Sequence, residues 1–490
     1  MCKTLIIKCK SVLASGWYEI VQMKNYRTNM LKYPLFLLAL SIFWTPAAAQ
    51  QPADTLSAAA AAVPADTGSA PMSLNECMAY AVEHSPAVRQ QDYTNRNYRQ
   101  DYIESVASLV PSVGGSVYAT TSFGRAVDPD TNTYVGDISS FDNSYSLSGE
   151  MTLFAGLAGI NTVRAARVMR LMGVEQLQQI RDEIALKTME AYFDVVYYTE
   201  SVRLAREQLA TSEANLAKSR KLLELGLKSA ADVAEIESQR ASDDYQLTQQ
   251  ENNLALARIT LAERMNYPVE RELAVDTAVA IETPVGAAPF AEVLGHALDN
   301  HPRAQSAAYD VRRKQLNYSV AKGNLFPSVS VGGGYSTGFA MNLEGKDESA
   351  SFGNQFRDKR NYYFQARLSV PIFGGLTRRT RVNRARNDWQ IAEQQRRQTL
   401  RALQSEVAQA YRQMQGFGKE FVQASKKADA ARLAYVAVEG KYDRGMVSAL
   451  DLQTAANNLL RARSERLRAR LQYIVKTRLV EYYNGEPLIR

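Results

Sequence analysis

The heptapeptide "GLKSAAD" at Gly226–Asp232 returns in the second half of the chain as "GMVSALD" at Gly445–Asp451. In both copies a serine follows the glycine by three positions, and an aspartate follows the serine by three. Glycine tolerates the positive φ of a helix C-terminal cap, and a serine with an acidic partner three positions on caps the helix that follows. The heptapeptide therefore predicts two sharp helical turns of the same design in two halves of one chain.

Other stretches repeat outward from these turns in the same order. "LFAGL" at Leu153–Leu157 returns as "IFGGL" at Ile372–Leu376, at the same offset as the turns, whereas Pro111 returns as Pro327, at an offset smaller by three. One insertion of three residues in the second half reconciles the two spacings. A solenoid module would repeat roughly every 20 to 50 residues, so the pattern indicates a tandem duplication of a larger unit. We assign repeat 1 to residues 72–270 and repeat 2 to residues 287–490.

The N-terminal segment has the features of an export signal. The apolar core "LFLLALSIFW" at Leu35–Trp44 follows a lysine and precedes three alanines, which is typical of a signal peptide with its cleavage site. We expect the natural start at Met30, an N-terminal extension and signal peptide over residues 1–49, cleavage near residues 49 and 50, and a disordered Ala/Pro-rich tether over residues 50–71. Only Cys77 follows the cleavage site, which excludes an intrachain disulfide in the mature chain.

Four segments alternate apolar and polar residues with the period of two that β-strands have. They cover about residues 112–123, 144–154, 328–339 and 361–373. The loops expected within the two pairs, at Asp128–Asp142 and Asn342–Arg360, are long and polar. One apolar and one polar face over about ten residues is the signature of a membrane β-barrel strand, although a soluble sandwich would show the same alternation. Four residues mark the expected junctions between strands and helices, namely Pro111, Gly156, Pro327 and Gly375.

The rest of each half has a helical pattern. No proline occurs from Ala155 to Tyr267 or from Phe373 to Glu486. An apolar seam with alternating steps of three and four runs from Leu400 to Tyr442, which predicts coiled-coil packing. Polar residues interrupt the same seam in the first half, at Arg181, Thr188, Ser212 and Ser219. We expect helices over residues 73–108, 157–224, 230–266, 290–324, 376–444 and 449–484.

The lengths of these elements predict an assembly. At 1.5 Å per residue the longest helices would extend for about 100 Å and their partners for about half of that, so each half should place one long helix beside two shorter helices stacked end to end. A hairpin with a lipid-facing side cannot leave unpaired edges in a bilayer. Four strands cannot enclose a pore, whereas two chains would supply eight strands and a filled barrel, and three chains would supply twelve and an open one. The expected fold class is mainly α, with long antiparallel coiled-coil helices and a membrane β part.

Four motifs recur in this order in both halves: "A-(V/L)-x-x-x-P" from Ala81 and Ala297, "(V/F)-P-S-V" from Val110 and Phe326, "(L/I)-F-x-G-L", and "G-x-x-S-x-x-D-(V/L)". In this combination the chain resembles the TolC-like outer-membrane efflux proteins, or outer-membrane factors, from about Ser73 to Gly485. The resemblance implies a homotrimer in the outer membrane of a Gram-negative bacterium, with a shared 12-stranded β-barrel in contact with outer-membrane lipid and an α-barrel in the periplasm. It also implies a periplasmic adaptor and an inner-membrane pump of RND or ABC type as partners. The implied function is the exit duct of a tripartite efflux pump or of a type I secretion system.

The resemblance further implies roles for residues at the two turns. Asp451 matches an acidic ring at the entrance of the family's tunnel, and Asp232 matches a residue that pairs with a tyrosine, here Tyr442, to hold the entrance closed. Thr454 stands where the family often has a second aspartate, and Val447 where it can have a basic residue, so the network is expected to be partial. The alternatives are turn chemistry alone for the aspartates and a core position for Tyr442. Adaptor contact is implied for Gly226, Leu227, Lys228, Ser229, Gly445, Met446, Val447 and Ser448.

The charge pattern argues against nucleic acid as a partner. The net charge of +7 is spread over long mixed-charge segments, whereas nucleic-acid binding favours a concentrated basic face. One arginine run consists of Arg378, Arg379, Arg381, Arg384 and Arg386, and a second of Arg461, Arg463, Arg466, Arg468 and Arg470. A solvated helix face is the favoured interpretation of both runs, and a basic band in the tunnel, near the inner leaflet edge or peptidoglycan, is the alternative.

We expect neither an enzymatic site nor a metal or other cofactor. The histidines His84, His296 and His301 have no cysteine or paired carboxylate at metal-binding spacing. The glycine-rich "VGGGYSTG" from Val331 lacks the lysine of a phosphate-binding loop. The alternative to a duct is a periplasmic coiled-coil scaffold or adhesin without a transport role. That alternative would explain the helices and turns but not the alternating strands together with an export signal.

Overall fold

The computed structural model describes residues 71–127, 133–268, 271, 273–277, 288–343 and 351–489. The helices are α1 Leu74–His84, α2 Pro86–Ala107, α3 Ala158–Glu224, α4 Ala230–Met265, α5 Phe290–Asn300, α6 Pro302–Gly323, α7 Phe352–Asp358, α8 Thr377–Asp443 and α9 Ala449–Tyr483. The strands are β1 Ser112–Val127, β2 Tyr134–Ala155, β3 Ser328–Asn342 and β4 Asn361–Ser369. The expected signal peptide, and the tether as far as residue 70, lie outside the described residues. Within the part of the chain that the structure describes, no helix is both long and apolar enough to span a membrane.

The four strands form one antiparallel sheet in the order β1-β2-β3-β4. Directly opposed residues share a face of a sheet. One row across all four strands consists of Val113, Gly149, Gly333 and Phe364. The face with this row is apolar and exposed, and it also carries Val117 and Leu147, whereas on the other face the hydroxyl oxygens of Ser116 and Ser146 lie 2.7 Å apart. The alternation along the sequence thus becomes one apolar and one polar face, with β1 and β4 as the two edges.

The strands of the first pair are longer than the sequence predicted. β2 begins at Tyr134 rather than near residue 144, and β1 continues to Val127, so the loop expected at Asp128–Asp142 is mostly strand. The polar residues there do not end the backbone ladder, which extends to Val127 opposite Tyr134. Polar composition alone was therefore a wrong sign of a loop.

The strands of the second pair also depart from the predicted bounds. β3 continues to Asn342 rather than ending near residue 339, whereas β4 ends at Ser369 rather than near 373. Pro371 has no N–H to donate to a ladder, which explains the early end of β4. The loop expected at Asn342–Arg360 contains α7, whose Phe352 ring lies 5.3 Å from that of Phe339 in β3.

Two of the predicted helices are each broken in two. The helix expected over residues 73–108 breaks at Ser85, and the one expected over 290–324 breaks at His301. Both break residues have extended backbone, with ψ of 124° and 135°, because each precedes a proline that disfavours helical geometry in its neighbour. The proline then occupies the first turn of the next helix, where its missing N–H costs nothing.

The shorter helices lie along the two long ones. α3 and α8 each contain 67 residues, or about 100 Å. α3 contacts α2, α1 and α4, and α1 contacts α4, so these three follow one another along it. In the same way α8 contacts α6, α5 and α9, and α5 contacts α9. α6 also packs against α3 and joins the two halves.

A polar chain near the middle of the helical part connects three elements. The backbone N–H of Arg303 donates to Nδ1 of His301 over 3.2 Å, so the proton of the neutral ring is on Nε2. That Nε2 donates to the Tyr482 hydroxyl over 3.2 Å, and the hydroxyl donates to the Asp182 carboxylate over 2.7 Å. Gln178 donates to the other oxygen of Asp182 over 2.8 Å. The chain therefore connects α3, the start of α6 and the end of α9.

Burial shifts the pKa values of His301 and Asp182 in this hydrogen-bonded network. It lowers the pKa of His301 to about 4, with a further contribution from the charge of Arg303. It also raises the pKa of Asp182, against the hydrogen bonds from Tyr482 and Gln178. Both pKa shifts favour the neutral form of the side chain, because a neutral imidazole or carboxyl costs less to desolvate than its charged form.

Candidate functional site

The two turns between long and short helices have the same backbone. Gly226 and Gly445 have φ of +73° and +71°, which a residue with a side chain rarely adopts. The N–H groups of Leu227 and Met446 reach back to the carbonyls of Leu222 and Lys441, over 2.8 and 2.9 Å. These bonds close the last turn of α3 and of α8 as a Schellman cap, so the chain reverses within a few residues. We call the segments 225–229 and 444–448 the first and second tip.

Each tip opens the next helix with a capping box. The carboxylate of Asp232 accepts from the N–H and hydroxyl of Ser229, over 3.1 and 2.8 Å. Asp451 accepts from Ser448 in the same way, over 3.0 and 2.7 Å. These hydrogen bonds lower the pKa of both aspartates, and the charge of Lys228 contributes at Asp232. Both carboxylates are therefore ionised at neutral pH and sit beside the first turns of α4 and α9.

Tyr442 is buried at the end of α8 and contacts the first tip from the other half. Its hydroxyl lies 3.1 Å from that of Ser219 on α3 and accepts a hydrogen bond from the ammonium of Lys228. The same ammonium lies 4.1 Å from the centroid of the tyrosine ring, which is a cation–π geometry. The next residue, Asp443, forms an ion pair with Lys218 between α8 and α3. Tyr442 is thus held by the first hairpin on two sides.

Within one chain, Asp232 and Tyr442, which are expected to pair, have different hydrogen-bond partners. The carboxylate of Asp232 is bonded to Ser229, and the hydroxyl of Tyr442 to Ser219 and Lys228. Lys228 connects the two sites, because it contacts the tyrosine and acts electrostatically on the aspartate. The sequence placed Lys228 only among docking residues. The sequence did carry a signal for the special role of Lys228. It is charged, whereas the equivalent residue of the second tip is the apolar Val447.

A second polar network lies deeper in the first hairpin and was missed from the sequence. Asp243 of α4 is buried and accepts from Ser212, from Gln239 over 2.7 Å and from Gln208 over 3.4 Å. Gln239 in turn accepts from Gln453 of α9. The signal in the sequence was the polar interruption of the seam at Ser212, which the structure turns into a buried hydrogen bond.

The tips present apolar side chains to solvent. Leu225 and Leu227 of the first tip and Met446 of the second are exposed, and so is Leu450 in the first turn of α9. Exposed apolar residues grouped at one end of a structure mark a contact surface more often than scattered ones do. Most of the expected docking residues therefore lie on the surface of the tips, whereas Lys228 and Val447 are half-buried, and Val447 packs against the buried cluster that contains Tyr442.

The four junction residues lie where strands meet helices. Pro111 and Pro327 immediately precede β1 and β3. Gly156 and Gly375 have φ of +60° and +58°, and the leucine after each is also left-handed. A side chain on Gly156 would also overlap the carbonyl oxygen of Gly323, so this glycine is required for close packing as well as for its backbone. In the described ranges no group of three histidine, cysteine or acidic residues could hold a metal ion.

The chain is similar to known outer-membrane proteins in sequence and in fold. Residues 293–479 match the family model described as outer membrane efflux protein. The chain is 23% identical over 358 residues to the pyoverdine export outer membrane protein OpmQ of Pseudomonas putida, a match covering 68% of each chain. It is 24% identical over 296 residues to the outer membrane protein TolC of Vibrio cholerae serotype O1, covering 60% of this chain and 65% of that protein. Among solved structures, the outer-membrane channel OprN shares the fold with a TM-score of 0.72 at 19% identity, over 85% of this chain and 91% of that one.

Proposed function

We propose that the chain is a member of the outer-membrane efflux protein family and is an outer-membrane exit duct that conducts substrates passively from the periplasm to the exterior. In this proposal the strands cross the outer membrane and the helices extend into the periplasm. The duct serves a tripartite efflux pump or a type I secretion system, with an adaptor and an inner-membrane pump of RND or ABC type as its partners. The two halves derive from a tandem duplication.

The observation that carries the proposal is the apolar face of the sheet. Four of its apolar side chains are more than half exposed, at 71% for Val113, 67% for Val117, 79% for Phe364 and 66% for Leu368. Such a face is unfavourable in water, and neither long helix covers it. Lipid is the environment that matches it, because the opposite face is polar and suits a water-filled lumen.

The open edges of the sheet support a trimer. β1 and β4 are each paired on one side only, and unpaired backbone groups in a bilayer cost several kcal/mol each. The sheet closes if β4 of one copy pairs with β1 of the next. Three copies give a barrel of twelve strands, wide enough for a channel, and continue below as a tube of helices.

A planar-bilayer experiment tests the duct. The purified mature protein should need detergent, migrate as a heat-sensitive trimer and form discrete channels in a lipid bilayer. A mature protein that stays soluble and monomeric without detergent, and forms no channels, would refute the proposal and leave the scaffold or adhesin as the alternative.

We place the gate of the duct at the tips. Tyr442, Lys228 and Ser219 tie the end of α8 to the first hairpin, and Asp232 and Asp451 add negative charge beside them. Opening requires α8 and α9 to move away from α3, which breaks the contacts of Tyr442. Lys228 supplies the positive charge that the second tip lacks at Val447.

Single-channel conductance tests the gate. Asp232→Ala combined with Tyr442→Phe should raise it, and Lys228→Ala with Tyr442→Phe should raise it more, because both contacts of the phenol with Lys228 weaken. Lys221→Ala removes an exposed lysine in the last turn of α3 and should leave conductance unchanged. Unchanged conductance in both double variants would overturn the gate without affecting the duct.

We assign adaptor docking to the exposed apolar residues of the tips. Leu227 and Met446 occupy equivalent positions and are both exposed, so each chain offers two similar contact points. Leu227→Asp and Met446→Asp should each weaken co-purification with the periplasmic adaptor. Channel formation in bilayers should be retained, which separates docking from assembly.

A further inference from the structure

The first arginine run lies at the start of α8, close to the apolar face of the sheet. Ile372 and Phe373 follow β4 with exposures of 94% and 84%, and Arg378 comes five positions after Phe373. The stretch from Arg378 to Arg386 rises about 12 Å along the helix. A band of arginines therefore begins where the apolar surface ends. We call Arg378, Arg379, Arg381, Arg384 and Arg386 the basic collar.

The collar has no anionic partner within the described chain. None of its five guanidinium groups forms an ion pair among the described residues, and Arg378 donates only to the backbone carbonyl of Asn324, over 3.1 Å. No acidic residue occurs from Thr377 to Asn387. The second arginine run differs, because Arg463 pairs with Glu207 over 3.2 Å and Arg466 with Asp429 over 3.9 Å.

The position is unfavourable for cations unless an anion is supplied. The N-terminal end of a helix carries partial positive charge, so Arg378 and Arg379 in the first turn of a 67-residue helix are disfavoured by its dipole. The five arginines also repel one another. At the equivalent start of α3, Arg167 is the one arginine among the five matching positions, so the shared junction geometry does not require the cluster.

We propose that the basic collar binds the anionic phosphodiester headgroups of lipids in the periplasmic leaflet of the outer membrane. The proposal rests on the outer-membrane location proposed above. Clusters of basic residues immediately outside a membrane-spanning segment attract anionic lipids, and guanidinium groups form paired hydrogen bonds with phosphate oxygens. The headgroup region is about 5 to 8 Å thick on each side, so the upper turns of the collar lie within it.

The test compares lipid retention by three proteins in nanodiscs made from equal amounts of phosphatidylcholine and phosphatidylglycerol. Wild type should retain phosphatidylglycerol with an enrichment of about fivefold per occupied site, measured by native mass spectrometry, and added salt should reduce it. The collar variant, with all five arginines changed to glutamine, should lose the enrichment. The control variant changes Arg396, Arg397 and Arg401, exposed arginines that begin about 27 Å below Arg378 on the same helix, and should keep it.

Each other outcome overturns the proposal in a distinguishable way. Equal enrichment in the collar variant and wild type shows that lipid binds elsewhere. A collar variant with unchanged lipid retention but altered anion selectivity in planar bilayers shows that the arginines line the lumen. Nanodiscs of pure phosphatidylcholine serve as a second kind of membrane. A collar variant that loses as much thermal stability in these as in the mixed nanodiscs shows that the arginines pair with a neighbouring subunit. A wild-type protein that enters neither kind of nanodisc refutes the proposed membrane location itself.

Discussion

The two helical hairpins, α3–α4 and α8–α9, share a backbone and bury different chemistry. Their long helices have the same length, and their tips have φ of +73° and +71° at the glycine and a capping box each. Both hairpins bury the same position of the shorter helix, but this position is the charged Asp243 in α4, at 4% exposure, and the apolar Ala462 in α9. Tips and caps therefore set the course of the chain, and seam residues are free to differ. The first hairpin uses this freedom for specific hydrogen bonds, and the second for apolar packing.

The largest expected effect comes from a core residue of the apolar seam. Leu403 on α8 is fully buried among Val293, Val407 and their neighbours, so Leu403→Ala should lower the free energy of unfolding by about 2–5 kcal/mol through lost burial and a cavity. Ile184 is the equivalent residue of the first hairpin and is only half-buried. Ile184→Ala should cost clearly less. Urea denaturation in detergent, followed by circular dichroism, measures both, and equal losses would show that the two seams are equally packed.

The second effect comes from the polar seam of the first hairpin. Asp243→Ala leaves the donors of Ser212 and Gln239 without their buried acceptor and should cost about 1–3 kcal/mol. Adding Ser212→Ala makes both positions resemble the second hairpin, which has Ala431 and Ala462 there. The double variant should be more stable than Asp243→Ala alone, because one unpaired donor is gone.

The same denaturation experiment tests this order. A double variant that is less stable than the single one would show that Ser212 contributes through packing rather than through its hydrogen bond. Asp243→Asn, which keeps the shape and one acceptor, should lie between wild type and Asp243→Ala.

The sequence predicted those features that depend on neighbouring residues. The turns follow from Gly226, Ser229 and Asp232, which act on one another within seven positions, and the structure has the expected φ and capping bonds. The breaks before Pro86 and Pro302 carried an equally local signal, but the helical pattern on both sides concealed them.

Long-range contacts could not be predicted in the same way. Tyr442 meets Ser219 and Lys228, which belong to the other half of the chain, and no spacing rule connects positions on different hairpins. The polar interruptions of the first seam were visible, yet their partners were not, because a buried serine can bond its own helix as readily as another. Pairing across hairpins depends on how the helices pack, which the periodicity of one helix does not specify.

The third effect is a pH dependence that distinguishes the two helix breaks. His301 caps α6, whereas Ser85 at the equivalent break makes no side-chain cap. Because the pKa of His301 falls from 6.5 to about 4 on folding, the unfolded chain binds the extra proton between these values. Stability from this residue is therefore complete above pH 6.5 and is lost as the pH falls towards 4, with a slope of at most about 1.4 kcal/mol per pH unit.

His301→Asn tests this, since asparagine can still cap the helix but does not titrate. The slope of the unfolding free energy between pH 6.5 and 4 should be shallower in this variant than in wild type. Asp182, whose raised pKa acts in the opposite direction, is present in both proteins and cancels in the difference. A steeper or unchanged slope in His301→Asn would contradict the lowered pKa of His301 in the folded protein.

The smallest effect is expected at the capping boxes of the tips. Ser229→Ala and Ser448→Ala each remove one side-chain acceptor from the first turn of a helix, which typically costs about 1 kcal/mol. The tips are exposed and distant from the core, so the loss should be local, with unchanged global unfolding. Hydrogen exchange should quicken about fivefold in the first turns of α4 and α9. Similar increases are expected because the two boxes have matching geometry, and a smaller increase at Ser229 alone would mean that the contact between Lys228 and Tyr442 holds the first tip beyond its cap.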